Sequence, residues 1–276
     1  MKIDKIRPGV FAFFMFISSL SCAIDNPMIE LPASTIKPAS PATSSLDLVN
    51  KGAILLNQGK SIEAEKILSD AVKNNPVSPE AFYNYALALS FNGNVIEAAS
   101  ASQKAIELKK DFPAARLLLG TSYLTTGKPL EALKAFSAAL SQIDNDNVCY
   151  LPALFNKAVA LGKLEKYTEA EACFAEVLAS NPDDPAPAFQ IGVLKIKQKK
   201  WDQALEWLDA SKSAFPLEAA ILSGKANVEM GNKELAAEHL EKAKVILMDS
   251  SVLAADVKVS IASEVENLQK KLADLK

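Results

Sequence analysis

The chain has 276 residues, 49% apolar and 23% charged, which suits an ordinary globular protein and excludes both a disordered chain and a multispanning membrane protein. Thirty basic residues face 33 acidic ones, a formal charge of -3, with no run of five Lys or Arg, so neither nucleic acid nor an anionic lipid surface is an expected partner. One histidine, His239, and three cysteines, Cys22, Cys149 and Cys173, are too few for a Cys/His zinc site and leave one candidate imidazole base; no metal or cofactor is expected.

Lys2, Lys5 and Arg7 precede an apolar run of 11 residues, Val10 to Leu20, which small residues follow. This is the layout of a secretory signal, and cleavage after Ala23 satisfies the small-x-small rule through Ser21 and Ala23. The run is shorter than the ~20 apolar residues of a spanning helix. Residues 1–23 are therefore expected to be removed on export, leaving 27 basic against 32 acidic residues, a charge of -5. Ser19-Leu20-Ser21-Cys22 resembles a bacterial lipobox with its Leu displaced by one place. Cys22 is thus a candidate lipidation site, and the expected location is the periplasm or an outer-membrane-anchored lipoprotein. Contact with a membrane is expected through that lipid alone. Residues 24–44 hold four prolines among Ser, Thr and Ala, a linker with a reach of roughly 60 Å if extended.

From residue 45 the sequence repeats. Ala64, Ala98, Ala132, Ala170, Ala204 and Ala236 lie at intervals of 34, 34, 38, 34 and 32. Twelve residues earlier stand Gly52, Ala86, Gly120, Ala158, Gly192 and Gly224. Four residues after each alanine come Leu68, Ser102, Phe136, Phe174, Leu208 and Leu240, and seven after come Ala71, Ala105, Ala139, Val177, Ser211 and Ala243. Small residues at fixed places let two antiparallel helices approach closely, while a larger one fills the space beside them. Gly59, Gly93, Gly127 and Gly231 read as turns within the pairs, and Pro76, Pro182 and Pro216 as the ends of second helices.

With this period and these small places, the chain resembles the tetratricopeptide repeat proteins. The resemblance implies an all-α fold: a right-handed superhelical solenoid of six helix pairs over residues 45–248, closed by a C-terminal amphipathic capping helix over 249–276. The usual Trp of the first helix is replaced by Leu48, Phe82, Arg116, Leu154, Ala188 and Ala220, and the closing Pro by Lys110 and Asp144 in the second and third repeats. Arg116 and Ser102 suggest looser seams there. Beyond Asp249-Ser250-Ser251, read as a cap, Leu253, Val257, Ile261, Val265, Leu268, Leu272 and Leu275 form one helical stripe. That stripe covers the last repeat or, as an alternative, pairs with another copy through residues 252–276.

The candidate chemistry is sparse. His239 occupies a place held elsewhere by packing residues and has no nucleophile in sight, so a half-buried side chain beneath the terminal helix is expected. Cys149 and Cys173 are expected to be free, packed thiols, being too far apart along one helix pair to bridge. Asp144-Asn145-Asp146-Asn147 lacks the Gly and closing Glu of a calcium loop, and phosphate-loop, G-x-S-x-G and H-E-x-x-H patterns are absent.

The resemblance also implies a concave groove lined by the first helices. Its candidate partner-binding residues here are Val49, Tyr83, Asn84, Leu87, Leu117, Phe155, Val159, Phe189, Val193 and Ile221. Only Asn84 matches the family's clamp for a terminal carboxylate; Val49 and Ala53 stand where that clamp needs polar side chains. An apolar groove edged by aromatics suits an amphipathic helix or an apolar extended segment. The expected function is a non-enzymatic protein-interaction scaffold or adaptor of the cell envelope. Its alternatives are a self-assembling structural envelope protein or, by likeness to the pilotin lipoproteins of type IV pili, an outer-membrane lipoprotein that assists assembly.

Overall fold

The computed structural model describes residues 44–251 and 253–275; among them are thirteen helices and no strand. Repeat one is α1 (Ser45–Asn57) and α2 (Ser61–Asn74), and repeat two is α3 (Pro79–Phe91) and α4 (Val95–Leu108). Repeat three is α5 (Pro113–Thr125) and α6 (Pro129–Leu140), and repeat four is α7 (Tyr150–Lys163) and α8 (Tyr167–Ser180). Repeat five is α9 (Pro185–Lys197) and α10 (Trp201–Ser211), repeat six is α11 (Pro216–Met230) and α12 (Lys233–Asp249), and α13 (Ala255–Ala273) follows. The export signal, Cys22 and the linker up to residue 43 lie outside the described residues.

Local chemistry sets the helix ends. Ser44 and Asp47 close a capping box at the start of α1, and Ser78 and Asp184 cap α3 and α9 through their side chains. Pro79, Pro113, Pro129, Pro185 and Pro216 each occupy the first helical place, where the missing N–H has no helical partner to lose. Pro216 therefore opens α11 rather than ending the helix before it; α10 has already stopped at Ser211. Asp249 is the last residue of α12, and α13 starts after Ala254 without a side-chain cap. The Asp249-Ser250-Ser251 cap is thus not formed, because α12 continues to bury Leu247.

The chain falls into two compact bodies, one ending at Leu164 and one beginning at Glu165, inside the turn of repeat four. In the first, consecutive helices from α1 to α7 pack together, and the first helices of neighbouring repeats also touch: α1 with α3, α3 with α5, α5 with α7. In the second, α8 to α13 pack consecutively, with α9 on α11 and α11 on α13. The repeated small places form the core: the six alanines, the six residues four places on and the six residues seven places on are all buried. Ser102 is buried too, with its hydroxyl unpaired. Arg116 fastens its seam, donating to the Lys110 carbonyl at 2.9 Å and to Gln142 at 3.1 Å.

In the second body α13 covers the last repeat. Ile261, Val265 and Leu268 are buried among Leu217, Ile221, Val228, Leu240 and Leu247, while Leu253, Val257, Leu272 and Leu275 pack at the margin. Lys271 of α13 also pairs with Glu229 of α11. Val259 is the one large hydrophobic side chain exposed on α13.

Candidate functional site

The first helices carry the candidate groove residues. In the first body Val49 lies on α1, Tyr83, Asn84 and Leu87 on α3, Leu117 on α5, and Phe155 and Val159 on α7. In the second, Phe189 and Val193 lie on α9 and Ile221 on α11. Asn84 and Val193 are half-buried and the others buried. Val49 packs with Ala71 and Ala81, and Ile221 joins the core beneath α13, so both contribute to folding. Tyr83 and Leu87 share a core cluster with Phe112, whose ring centroid is 5.0 Å from that of Tyr83. Lys109 lies over the Phe112 ring, 4.9 Å from its centroid, and 3.6 Å from Glu80. Burial pushes the Tyr83 hydroxyl far above its usual range; it stays neutral. Phe189 stacks on Phe215 at 4.6 Å.

One row was not anticipated from the sequence. The place immediately after Val49, Tyr83, Phe155 and Phe189 holds a side-chain amide in four of the six repeats: Asn50, Asn84, Asn156 and Gln190. Their spacing would have revealed them. Asn156 is 1% exposed, and its amide oxygen has no hydrogen-bond partner, an arrangement that costs free energy unless a donor arrives from elsewhere.

Elsewhere the expected chemistry is placed differently. His239 is half-buried on α12, and the charges that act on it from outside its own helix are Asp209 and Lys212, at the end of α10 rather than on α13. Cys173 lies half-buried on α8 and forms no disulfide. Cys149 is buried and begins α7, where its N–H donates to the Asn147 side chain at 2.9 Å. The Asp144 to Asn147 segment is a turn, closed by Asn147 N–H to Asp144 O at 3.0 Å. In the second body a cleft of about 470 Å³ lies among α8, α9 and α10, walled by Leu178, Pro182, Ile191 and Trp207. The ion pair of Lys195 and Glu171 marks its polar edge. No group of three His, Cys, Asp or Glu side chains gathers among the described residues.

The tetratricopeptide repeat family models match residues 49–111 and 90–148, and again residues 163–228, more than half of the chain. The chain belongs to the tetratricopeptide repeat family, whose fold is that of a protein-interaction scaffold. It is 26% identical over 189 residues to the human "Protein O-mannosyl-transferase TMTC3", a match covering 67% of this chain and 20% of that one. The chain thus spans about a fifth of that relative's length. Among solved structures it is similar to PilW, described as a widely conserved type IV pilus biogenesis factor, with a TM-score of 0.66 at 18% identity over 82% of this chain and 98% of that one. The Pseudomonas aeruginosa pilF structure matches with a TM-score of 0.63 at 16% identity, over 82% and 97% of the two chains. Both likenesses concern the fold.

Proposed function

We propose that the chain is a non-enzymatic adaptor that holds an extended segment of a partner protein on the first helices of each of its bodies. In the first body, Tyr83, Leu87, Phe155 and Val159 seat the segment's apolar side chains, and Asn84 and Asn156 meet its main-chain N–H and C=O groups. In the second, Phe189, Gln190 and Val193 offer the same combination. The observation that carries this reading is the buried amide oxygen of Asn156, which has no partner and stands beside Phe155 at a place where repeat two also has an amide. A main-chain N–H is the donor that an extended segment supplies regardless of its sequence, while apolar side chains beside it add selectivity.

The test is a crosslinking pull-down comparing Phe155→Ala/Phe189→Ala with a control changed at the exposed Glu241 and Lys242. Each aromatic truncation is expected to weaken capture by about 1 to 3 kcal/mol, with helicity retained. Equal recovery of partners by variant and control defeats the reading.

A role in the cell envelope is supported by the signal-like residues 1–23 and by the match to nearly the whole of PilW. On this reading the adaptor assists assembly of an envelope structure, held there by a lipid on Cys22 or free in the periplasm. Mass spectrometry of the mature amino terminus decides: a diacylglyceryl-modified Cys22 supports the anchored form, Ile24 as first residue the free form, and an uncut Met1 neither.

A further inference from the structure

In the second body α13 takes the place of a first helix. It packs on α12 and α11 as α11 packs on α10 and α9, and its buried Ile261, Val265 and Leu268 repeat the spacing of Ala219, Ser223 and Ala226 on α11. This register sets Glu266 where α11 has Gly224 and α9 has Gly192. Those glycines lie against Leu240 and Leu208 of their second helices, whereas Glu266 is exposed, because no second helix follows α13 among the described residues. An ion pair fixes the register independently: Glu229 and Lys271 stand five residues after Gly224 and Glu266, at the same place on neighbouring helices, and they meet.

The two candidate places that hold Phe189 and Val193 on α9 therefore recur on two more helices, and their chemistry changes on the way. They hold Ile221 and Lys225 on α11, then Ser263 and Asn267 on α13. Lys225 is half-buried, and Ser263 and Asn267 are exposed. Burial pulls the Lys225 ammonium below its usual range, and Glu264 of α13 and Glu229 of α11 offset part of that pull, with Lys271 acting against them. The ammonium nevertheless makes no hydrogen bond or ion pair with a described residue. A half-buried ammonium in this position gains from an acceptor that an incoming group brings. The two carboxylates beside it disfavour an anion, which leaves an uncharged acceptor.

We propose that α11 and α13 form the polar end of the partner-binding surface of the second body, and that this end selects a segment whose apolar stretch, seated on α9, adjoins uncharged hydrogen-bonding side chains: Ser, Thr, Asn or Gln. The proposal rests on the adaptor reading above and adds the composition of the partner to it. Oxygens of those side chains accept from the Lys225 ammonium, while the Ser263 hydroxyl and the Asn267 amide each donate and accept. The terminal helix thus has two roles, since its buried stripe covers the last repeat and its exposed Ser263 and Asn267 extend the surface. Packed helices lie roughly 8 to 10 Å apart, so α9 and α13 are separated by about 20 Å. The side chains that meet α13 therefore lie about six extended residues, at ~3.3 Å each, from those that meet α9.

Photo-crosslinking of the full chain in its native cells tests this, with benzoylphenylalanine in place of Val193 on α9, of Asn267 on α13 or, as the background, of the exposed Lys242 on α12. The expected result is one partner peptide joined at both the Val193 and the Asn267 positions, through apolar residues at the first and through uncharged polar residues about six places away at the second. Lys225→Met keeps the aliphatic stem and lowers the yield at the Val193 position about ten-fold. Unchanged circular dichroism and melting temperature show that this variant remains folded. Product at the Val193 position with none above background at Asn267, an apolar or charged stretch joined at Asn267, or a yield indifferent to Lys225→Met overturns the polar end and leaves binding on α9 standing. Product at neither position overturns the adaptor reading as well.

Discussion

Gly120 and Phe136 fit so closely that no side chain can be added at the glycine unless the ring shifts. A Cβ added to Gly120 would lie 2.6 Å from Phe136 Cε1 and 2.9 Å from Cδ1 and Cζ. The same relationship holds between Gly52 and Leu68 at 2.4 Å and between Gly224 and Leu240 at 2.7 Å, and it relaxes to 3.1 Å between Gly192 and Leu208. Repeat two reaches the same fit from the other direction, with Ala86 at the glycine's place and Ser102 at that of the large residue. Ser102 is therefore a volume adjustment, and its seam needs no loosening to accommodate it.

Gly120→Ala should consequently cost about 1 to 3 kcal/mol through overpacking against the buried Phe136 ring. Gly192→Ala should cost less, since its nearest neighbours are at 3.1 Å and belong to a flexible leucine. Combining Gly120→Ala with Phe136→Leu should recover part of the loss. Urea denaturation gives the order; equal losses at the two glycines would contradict the packing described here.

The turns within the pairs give a second prediction. Gly59, Gly93, Gly127 and Gly231 have φ of +72°, +82°, +74° and +78°, and the same place in repeats four and five is held by Glu165 at +60° and Lys199 at +59°. A side chain in this left-handed region meets its own carbonyl, at a cost of ~1 to 2 kcal/mol. Glycine removes that cost but enlarges the freedom of the unfolded chain. Glu165→Gly and Lys199→Gly should each stabilise the protein by about 0.5 to 1 kcal/mol net, read as a rise in melting temperature. Gly127→Ala should move it in the opposite direction.

How much of this was legible in the sequence follows the range of each interaction. The small places and the α13 stripe repeat along the chain, so period alone identifies them; the small places are all buried, and of the stripe Ile261, Val265 and Leu268 are buried while the rest pack at the margin. Pro216 was misread because a proline between two helices suits the end of one and the start of the next equally well. The turns at Glu165 and Lys199 carry no glycine and therefore no signal. The candidate groove is legible in its apolar members, while its amide row, held in four of the six repeats, is legible only from the repeat register. Side-chain pairing between helices, such as Glu171 with Lys195, depends on rotamers that no period encodes.

That pair supports a third prediction. Lys195 is buried on α9, and its ammonium donates to Glu171 of α8 at 2.8 Å, while Gln198 donates to the other carboxylate oxygen at 2.6 Å. Burial alone pushes the Glu171 carboxyl up, but hydrogen bonds from Lys195 and Gln198, with the charges of Lys195 and Lys200, outweigh it and hold the group below its usual 4.5. Glu171→Ala strands a buried ammonium and should cost about 2 to 4 kcal/mol, whereas replacing both partners with Leu and Met should cost little. A depressed carboxylate contributes stability above its unfolded pKa and loses it as pH falls through the folded value. The gap between wild type and Glu171→Gln should therefore be full at neutral pH and narrow as the solution is acidified below about 4.5. A gap independent of pH would remove the charge from this account.

His239 titrates with the opposite consequence from a histidine that gains an acidic partner. Burial lowers its pKa below the usual 6.5; Lys242 and Lys212 act in the same direction, and Glu238 and Asp209 oppose them. The unfolded chain takes up a proton near 6.5, while the folded chain resists until a lower pH. Between those values the unfolded state binds more protons, so stability falls as pH drops through the unfolded pKa and levels off below the folded one. His239→Gln should abolish this part of the pH dependence while leaving stability near pH 8 almost unchanged, since neutral imidazole and amide are both uncharged. Melting temperatures of the two proteins measured between about pH 8 and 5 should run together at the alkaline end and diverge below about 6.5, with the variant more stable. If wild type instead gains stability relative to the variant on acidification, His239 is protonated in the fold and held by Asp209 or Glu238, and its burial is not what sets its charge.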